Sequence, residues 1–547
     1  MKGSRIAAVS LSATAIFSAA ACAGSGHGAQ APGKGGALAA AVTRSPSAPV
    51  QVIDDSAGGA TVGLARTLFT TAPVVIVARD DAAASAAARS EHAPVVLASS
   101  VTPQVAAAIR ALRPQAVLAA GLPGHALSRR LPGIKVTTRV SGLPATSTPG
   151  QTATPGQTAA PGQTAGAEQA SAPKKTKAPG KSATPKPTST SGQQSAPKQG
   201  GVAVLTDDGG DNGDNAGNSD GAIDATAAAA GATVIHVHGT DPRTDSGAIK
   251  SLAALRPKHV IAVGSRFGPA SQLQSRLAEA ETGRQLPGGG QVMFPGHRLV
   301  ALYGHPGVSS LGALGQQGMS QSVARAQKMA RQYRSLSDVP VVPAFEIIAT
   351  VAEGAPGPDG TYSQESSVSQ LRPWIQEAAR HGIYVVLDLQ PGRANLLDQA
   401  QHYQSLLKEP NVGLALDSEW KLQPGQQPLQ QIGHVGIGEV NSVVRWLATF
   451  TQRRHLPQKA LVLHQFRSTM ITDEGKLDTS HDDLAIVMHM DGNGTPEVKQ
   501  GSWNMVTGGA PHGVFFGFKD FFTKDSPMLS PQATMKHSPT PVMISYQ

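Results

Sequence analysis

Val412-Gly-Leu-Ala-Leu-Asp-Ser-Glu-Trp420 is an apolar run of strand length that ends in two carboxylates one residue apart. Seven further apolar runs share its design: Leu299 to Tyr303, Val341 to Phe345, Tyr384 to Leu387, Ala460 to Leu463, Leu484 to Met488, Val514 to Phe518 and Val542 to Ser545. Amphipathic helical stretches such as Val323 to Tyr333, Leu371 to Ala379 and Val440 to Thr451 lie between them. Eight strands separated by helices or loops over about 250 residues are what a (β/α)8 TIM barrel requires, so residues 298–547 are read as one. Each run ends in polar residues: His305, Glu346, Asp388, Asp417 with Glu419, His464 with Gln465, His489 with Asp491, Lys519 and Tyr546. The C-terminal strand ends of such a barrel surround its active site, so these side chains are expected to converge on one pocket.

Asp417 and Glu419 carry the sharpest chemical signal. Residues i and i+2 of a strand point the same way, and two adjacent carboxylates raise the pKa of one of them, leaving a general acid beside a charged partner. That pairing suits glycosidic bond cleavage. At these residues the chain resembles barrel-fold glycan hydrolases, chitinase-like enzymes and a class of wall lysozymes among them, which carry Asp-x-Glu at the end of the fourth strand. The resemblance implies that Glu419 protonates the glycosidic oxygen while Asp417 supports it or an N-acetyl group. The chitinase pattern also has Asp two and five residues before Asp417, where this chain has Ala415 and Val412. Glu346 or Asp388 is the expected second carboxylate. His305, Trp420, His464, His489, Asp491, Lys519 and Tyr546 are expected to bind substrate. No cofactor and no metal are required. Two other readings stay open: a divalent-metal hydrolase using His305, Glu346, Asp388, His464, His489 and Asp491, and a non-catalytic wall-binding protein with a degenerate barrel.

Upstream, Ala111-Leu-Arg-Pro-Gln-Ala-Val-Leu-Ala-Ala-Gly121 recurs as Ala254-Leu-Arg-Pro-Lys-His-Val-Ile-Ala-Val-Gly264, an internal repeat. Earlier strand-like runs, Val74 to Val77, Pro94 to Leu97, Val202 to Leu205 and Val234 to Val237, alternate with helical stretches, as in a parallel α/β fold. These two units, 48–140 and 201–285, resemble type 2 cell-wall-binding repeats of Gram-positive surface proteins. The resemblance implies binding to a wall polysaccharide or another anionic wall polymer. Asp207 to Gly221 is Asp-rich, but it lacks the spacing and terminal Glu of a helix-flanked calcium loop and reads as a solvated loop.

The chain opens with Lys2 and Arg5 before an apolar run from Ile6 to Ala21, an export signal too short to span a bilayer comfortably. Ser18-Ala-Ala-Ala-Cys22 resembles a bacterial lipobox, although Ala19 stands where Leu is usual. It implies an actinobacterial-type envelope lipoprotein, held at the outer face of the cell membrane by lipidated Cys22 or, failing that, secreted. Residues 23–47 read as a tether, 141–200 as a Pro/Gly/Thr/Lys-rich disordered linker, and 286–297 as a short linker. The net charge of +9 does not point to nucleic acid, because Lys174, Lys175, Lys177, Lys181, Lys186 and Lys198 all lie in the Pro-rich linker.

Overall fold

The computed structural model describes residues 41–54, 59–88, 93–139, 201–209 and 220–547. The signal segment with Cys22, most of the 23–47 tether, the 141–200 linker and positions 210–219 of the Asp-rich loop lie outside the described residues. Among the described residues, no helix is long and apolar enough to cross a membrane.

The first part of the chain runs β1 (Val42–Thr43), β2 (Val50–Ile53), α1 (Gly59–Leu68), β3 (Phe69–Thr71), β4 (Val74–Ala78), α2 (Asp81–Ala88), β5 (Val95–Leu97), α3 (Pro103–Ala111), β6 (Ala116–Ala120), α4 (Gly124–Arg130) and β7 (Lys135–Thr137). It continues with β8 (Val202–Asp207), α5 (Asp220–Ala229), β9 (Thr233–Val237), α6 (Ser246–Leu255), β10 (His259–Val263) and α7 (Ala270–Ala280). The fully apolar cores of β4, β6, β8 and β10 suit strands buried on both faces, and they form two four-stranded parallel sheets, ordered β5-β4-β6-β7 and β2-β10-β8-β9. The boundary between the units is not the one expected from sequence. Strand β2 lies within the span assigned to the first unit, yet it pairs with β10 of the second. The end of the expected tether is also ordered, since β1 pairs antiparallel with β3. One apolar cluster joins Leu64, Val75 and Val117 of the first unit to Val204, Ile223 and Ile261 of the second. Across this joint Asp81 accepts hydrogen bonds from the Gly221 and Ala222 amides at 3.2 and 2.9 Å, satisfying donors that a helix start leaves free.

The barrel strands are β11 (Arg298–Gly304), β12 (Val341–Ala352), β14 (Tyr384–Leu389), β15 (Val412–Asp417), β17 (Lys459–Gln465), β19 (Leu484–Met490), β20 (Phe515–Asp520) and β21 (Met543–Tyr546). Helices α8 (Met319–Tyr333), α9 (Val368–Arg380), α10 (Leu396–His402), α11 (Ile437–Gln452), α12 (Pro496–Gly509) and α13 (Pro531–Thr534) connect them. All neighbouring barrel strands pair in parallel, and β11 pairs with both β12 and β21, which closes an eight-stranded barrel. Short β13 (Ser363–Glu365) pairs antiparallel with the end of β12, while β16 (Val435–Gly436) pairs with β18 (Ile471–Thr472).

Strand alternation sorts the side chains. Leu299, Val342, Tyr384, Ala415, Val462 and Val487 fill the lower barrel, while Val300, Phe345, Leu414 and Leu461 face the helices. Small interior residues make room for large ones: a side chain at Gly413 would collide with Tyr384, and one at Gly517 would collide with His489. Residues 286–297, expected to be a linker, pack against the barrel. Leu286, Met293 and Phe294 join the lower-barrel cluster and floor it, the Phe294 ring lying 5.4 Å from that of Phe515. Just outside this floor Arg243 binds Asp241, Glu279 and Asp482 at 2.8, 3.1 and 2.7 Å, fastening the second α/β unit to the loop before β19.

Candidate active site

Above the apolar layer, the interior positions of the same strands carry Tyr303, Glu346, Asp388, Asp417, His464, His489 and Lys519, all buried. His464 is the hub. Its Nδ1 lies 2.9 Å from Asp491 Oδ2, and its Nε2 lies 2.9 Å from Glu346 Oε1 and 3.9 Å from Asp388 Oδ1. Burial disfavours the imidazolium, but Glu346 and Asp491 outweigh it and hold the His464 pKa well above its usual value. Lys519 Nζ donates to Asp491 Oδ2 at 3.1 Å and stands 3.4 Å from the centre of the Tyr303 ring. Burial opposes ionisation of Asp491, yet Lys519 and His464 prevail and keep it below the usual carboxylate range.

Burial opposes ionisation of Glu346 too, yet His464 holds it below its usual value, whereas Asp388, Asp417 and Glu419 shift the opposite way. Burial pushes Asp388 up to about 6, with His464 opposing and Glu346 adding to the rise. The Tyr303 hydroxyl donates to Asp388 Oδ2 at 2.8 Å. Burial, together with Asp388 and Glu419, raises Asp417 well above the ordinary range. Glu419 rises to about 7, through burial and the Asp491 charge and against Lys519. Beneath them burial lowers His489 to about 3, so it is a neutral ring bound through Nε2 to Ser545 Oγ at 2.8 Å.

A cavity of about 490 Å³ opens over this layer, lined by Tyr303, Glu419, Trp420, Phe466, Arg467, Asp491, Lys519, Phe521 and Lys524, among others. One carboxylate oxygen from each of Asp417, Glu419 and Asp491 lies within 4.8 Å of the others. The strand-face argument is not what joins the first two. Strand β15 stops at Asp417, and Ser418–Trp420 is a 3-10 turn that brings Glu419 and Trp420 to the cavity wall. The Gly433 amide donates to the Glu419 carbonyl at 2.7 Å, and a side chain at Gly433 would strike that same carbonyl, so the returning loop needs glycine there.

Several expected site residues sit elsewhere. Glu346 and Asp388 lie under the cavity, bound to His464 and Tyr303, so the second carboxylate facing the open space is Asp491. Tyr546 is a correction: it occupies an outward position of β21, shares a hydrogen bond with Tyr333 of α8 and stacks on Phe522, with no part in the cavity. His305 is set aside from the wall, its Nε2 3.0 Å from Ser366 Oγ. His489 is interior and off the cavity wall, its ring filling the space that a side chain at Gly517 would take. Of the histidine-centred metal set, Glu346, Asp388 and Asp491 gather on His464, while His305 and His489 stand off the cavity wall. Among the described residues, Asp417, Glu419 and Asp491 are the group whose spacing could hold a divalent cation. Sequence reasoning missed Tyr303, which the alternation of β11 marks as inward, and Phe466, Arg467 and Lys524, which stand on loops and carry no periodic signal. No family model and no curated protein sequence matches this chain.

Proposed function

We propose that the barrel hydrolyses a glycosidic bond, with Glu419 as proton donor and Asp491 as its partner carboxylate. The observation that carries this reading is a carboxyl shifted to about 7 beside an ionised carboxylate, with oxygens within 4.8 Å, in one cavity. Oxygens this near are compatible with a double displacement, which uses carboxyls about 5 to 5.5 Å apart. Asp491 would attack the anomeric carbon as Glu419 protonates the departing oxygen. Glu419 would then take a proton from water as that water displaces Asp491 and releases the sugar. Oδ2 of Asp491 is occupied by His464 and Lys519, which leaves Oδ1 for attack. Protonated Asp417 would offer a hydrogen bond beside the acid. Partly buried Trp420 and Phe466 supply ring faces for sugar stacking.

The test is release of reducing ends from peptidoglycan, chitin-like and α-glucan substrates, with loss of activity in Glu419→Gln and Asp491→Asn. Absence of any release by the wild type, with or without divalent metal, would favour the binding-protein reading. A second reading rests on the Asp417, Glu419 and Asp491 spacing: a divalent cation there would make a metal-assisted hydrolase, and activity abolished by chelator and restored by added metal would select it. The envelope setting belongs to the same proposal. Lipidation of Cys22 and binding of the paired α/β units to a wall polymer would hold the barrel at its substrate. Retention of Cys22→Ser protein in the membrane fraction would refute the anchor.

A further inference from the structure

We infer that the substrate of this cavity carries a negatively charged group, a carboxylate or a phosphate, beside the bond that is cut, and that Arg467 and Lys524 receive it. The inference rests on the hydrolase reading for the words "bond that is cut", but its charge argument stands on the cavity wall alone. Three cations line the cavity, and they are not equivalent. Lys519 is buried and committed to Asp491. Arg467 and Lys524 are exposed and, among the described residues, enter no ion pair and no side-chain hydrogen bond. Each lies toward an aromatic ring instead, Arg467 at 5.9 Å from the centre of Phe466 and Lys524 at 5.5 Å from that of Phe521, so rings rather than carboxylates hold them at the wall.

Their placement gives these charges a use. Arg467 follows β17 and Lys524 follows β20, the strands on either side of β19, whose end presents Asp491. Lys524 is near enough to Glu419 for its charge to favour that carboxylate. A neutral sugar needs only the Trp420 and Phe466 faces and leaves both cations idle. An anionic sugar approaching ionised Asp491 meets repulsion, which two unpaired wall cations offset while offering charge-assisted hydrogen bonds. The wall therefore complements an acidic glycan.

The test is equilibrium binding by titration calorimetry to the full chain carrying Glu419→Gln, so that no probe is consumed. The probes are neutral oligomers of glucose and of N-acetylglucosamine, a galacturonate oligomer for the carboxylate, and a glycerol-phosphate oligomer for the phosphate. At low salt, where screening is weak, one anionic probe binds about tenfold tighter than the neutral ones, and its identity assigns the source of the charge. Arg467→Gln with Lys524→Gln removes most of that preference, whereas Arg331→Gln on α8 does not. Equal or weaker binding of both anionic probes, no binding of any probe, or a preference that survives the double substitution overturns the inference. Cleavage of neutral glycans without anionic preference would leave the hydrolase reading standing and remove this one. Anionic preference without cleavage of any substrate by the wild type would do the reverse.

Discussion

Asp491 Oδ2 lies 2.9 Å from His464 Nδ1, and that hydrogen bond joins the one carboxylate of the buried cluster that reaches the cavity to the ring that also holds Glu346. His464 is thus the cation between two buried acids, and a neutral apolar replacement would strand both. His464→Leu is expected to destabilise the barrel by about 3 to 5 kcal/mol, read from the urea midpoint. A loss under about 1 kcal/mol would mean that Lys519 alone compensates the two carboxylates.

Glu419→Gln is expected to lower turnover by about 10² to 10⁴-fold while leaving the fold intact. Its stability effect has a definite sign. The folded-state pKa of about 7 exceeds the ordinary 4.5, so protonation of Glu419 favours the folded chain. That contribution is complete below about pH 4.5 and is lost as pH rises through about 7. Glutamine mimics the protonated form throughout, so the variant should match wild type at pH 4.5 and exceed it by about 1 to 3 kcal/mol at pH 8. A pH-independent difference between the two midpoints would contradict the shift.

The pH dependence of the reaction follows from the same pair. In the proposed mechanism turnover requires Glu419 protonated and Asp491 ionised, and Asp491 lies below the usual range. The rate should fall on the alkaline side with an apparent pKa near 7, and Glu419 and Asp491 by themselves impose no acid-side fall between about pH 4 and 6. A rate that rises through pH 7 and stays high would assign the acid elsewhere.

Gly517 faces His489 inside the barrel, with no room for a methyl group. Gly517→Ala is expected to cost about 1 to 3 kcal/mol by overpacking and to displace His489 from Ser545. Gly438, near the start of α11, has open space around it, and Gly438→Ala should be neutral or stabilising by up to about 1 kcal/mol. Equal midpoints for the two variants in thermal unfolding would refute the packing account.

Arg243, only 2% exposed, holds Asp241 and Glu279 of the α/β unit against Asp482 of the barrel. Arg243→Leu should separate the unfolding of the α/β pair from that of the barrel and cost about 3 kcal/mol. A single, unshifted calorimetric transition would show that the floor segment 286–297 and the Arg276–Asp482 pair suffice to hold the two together.

The chain by itself determined the eight barrel strands and the paired parallel sheets, because apolar runs of strand length between helical periodicities leave few other ways to bury that surface. It also marked His464, Asp491, Lys519, Asp417 and Glu419 as strand-end groups near one mouth. Strand parity separates the two tyrosines, Tyr303 sharing the inward face of β11 with Leu299 and Tyr546 taking the outward face of β21 beside inward Ser545. Only the tertiary structure decided the rest. Whether Glu346 and Asp388 face the cavity or lie beneath it depends on depth within the barrel, which is set by strand stagger and by the neighbours above them. The crossing of β2 into the second sheet and the docking of 286–297 as a floor come from pairings between distant segments, which local periodicity does not encode. The division of the carboxyls into an ionised Asp491 and a Glu419 raised to about 7 has the same origin, since only after the barrel closes do Lys519 and His464 hydrogen-bond Asp491 while acting on Glu419 through their charge alone.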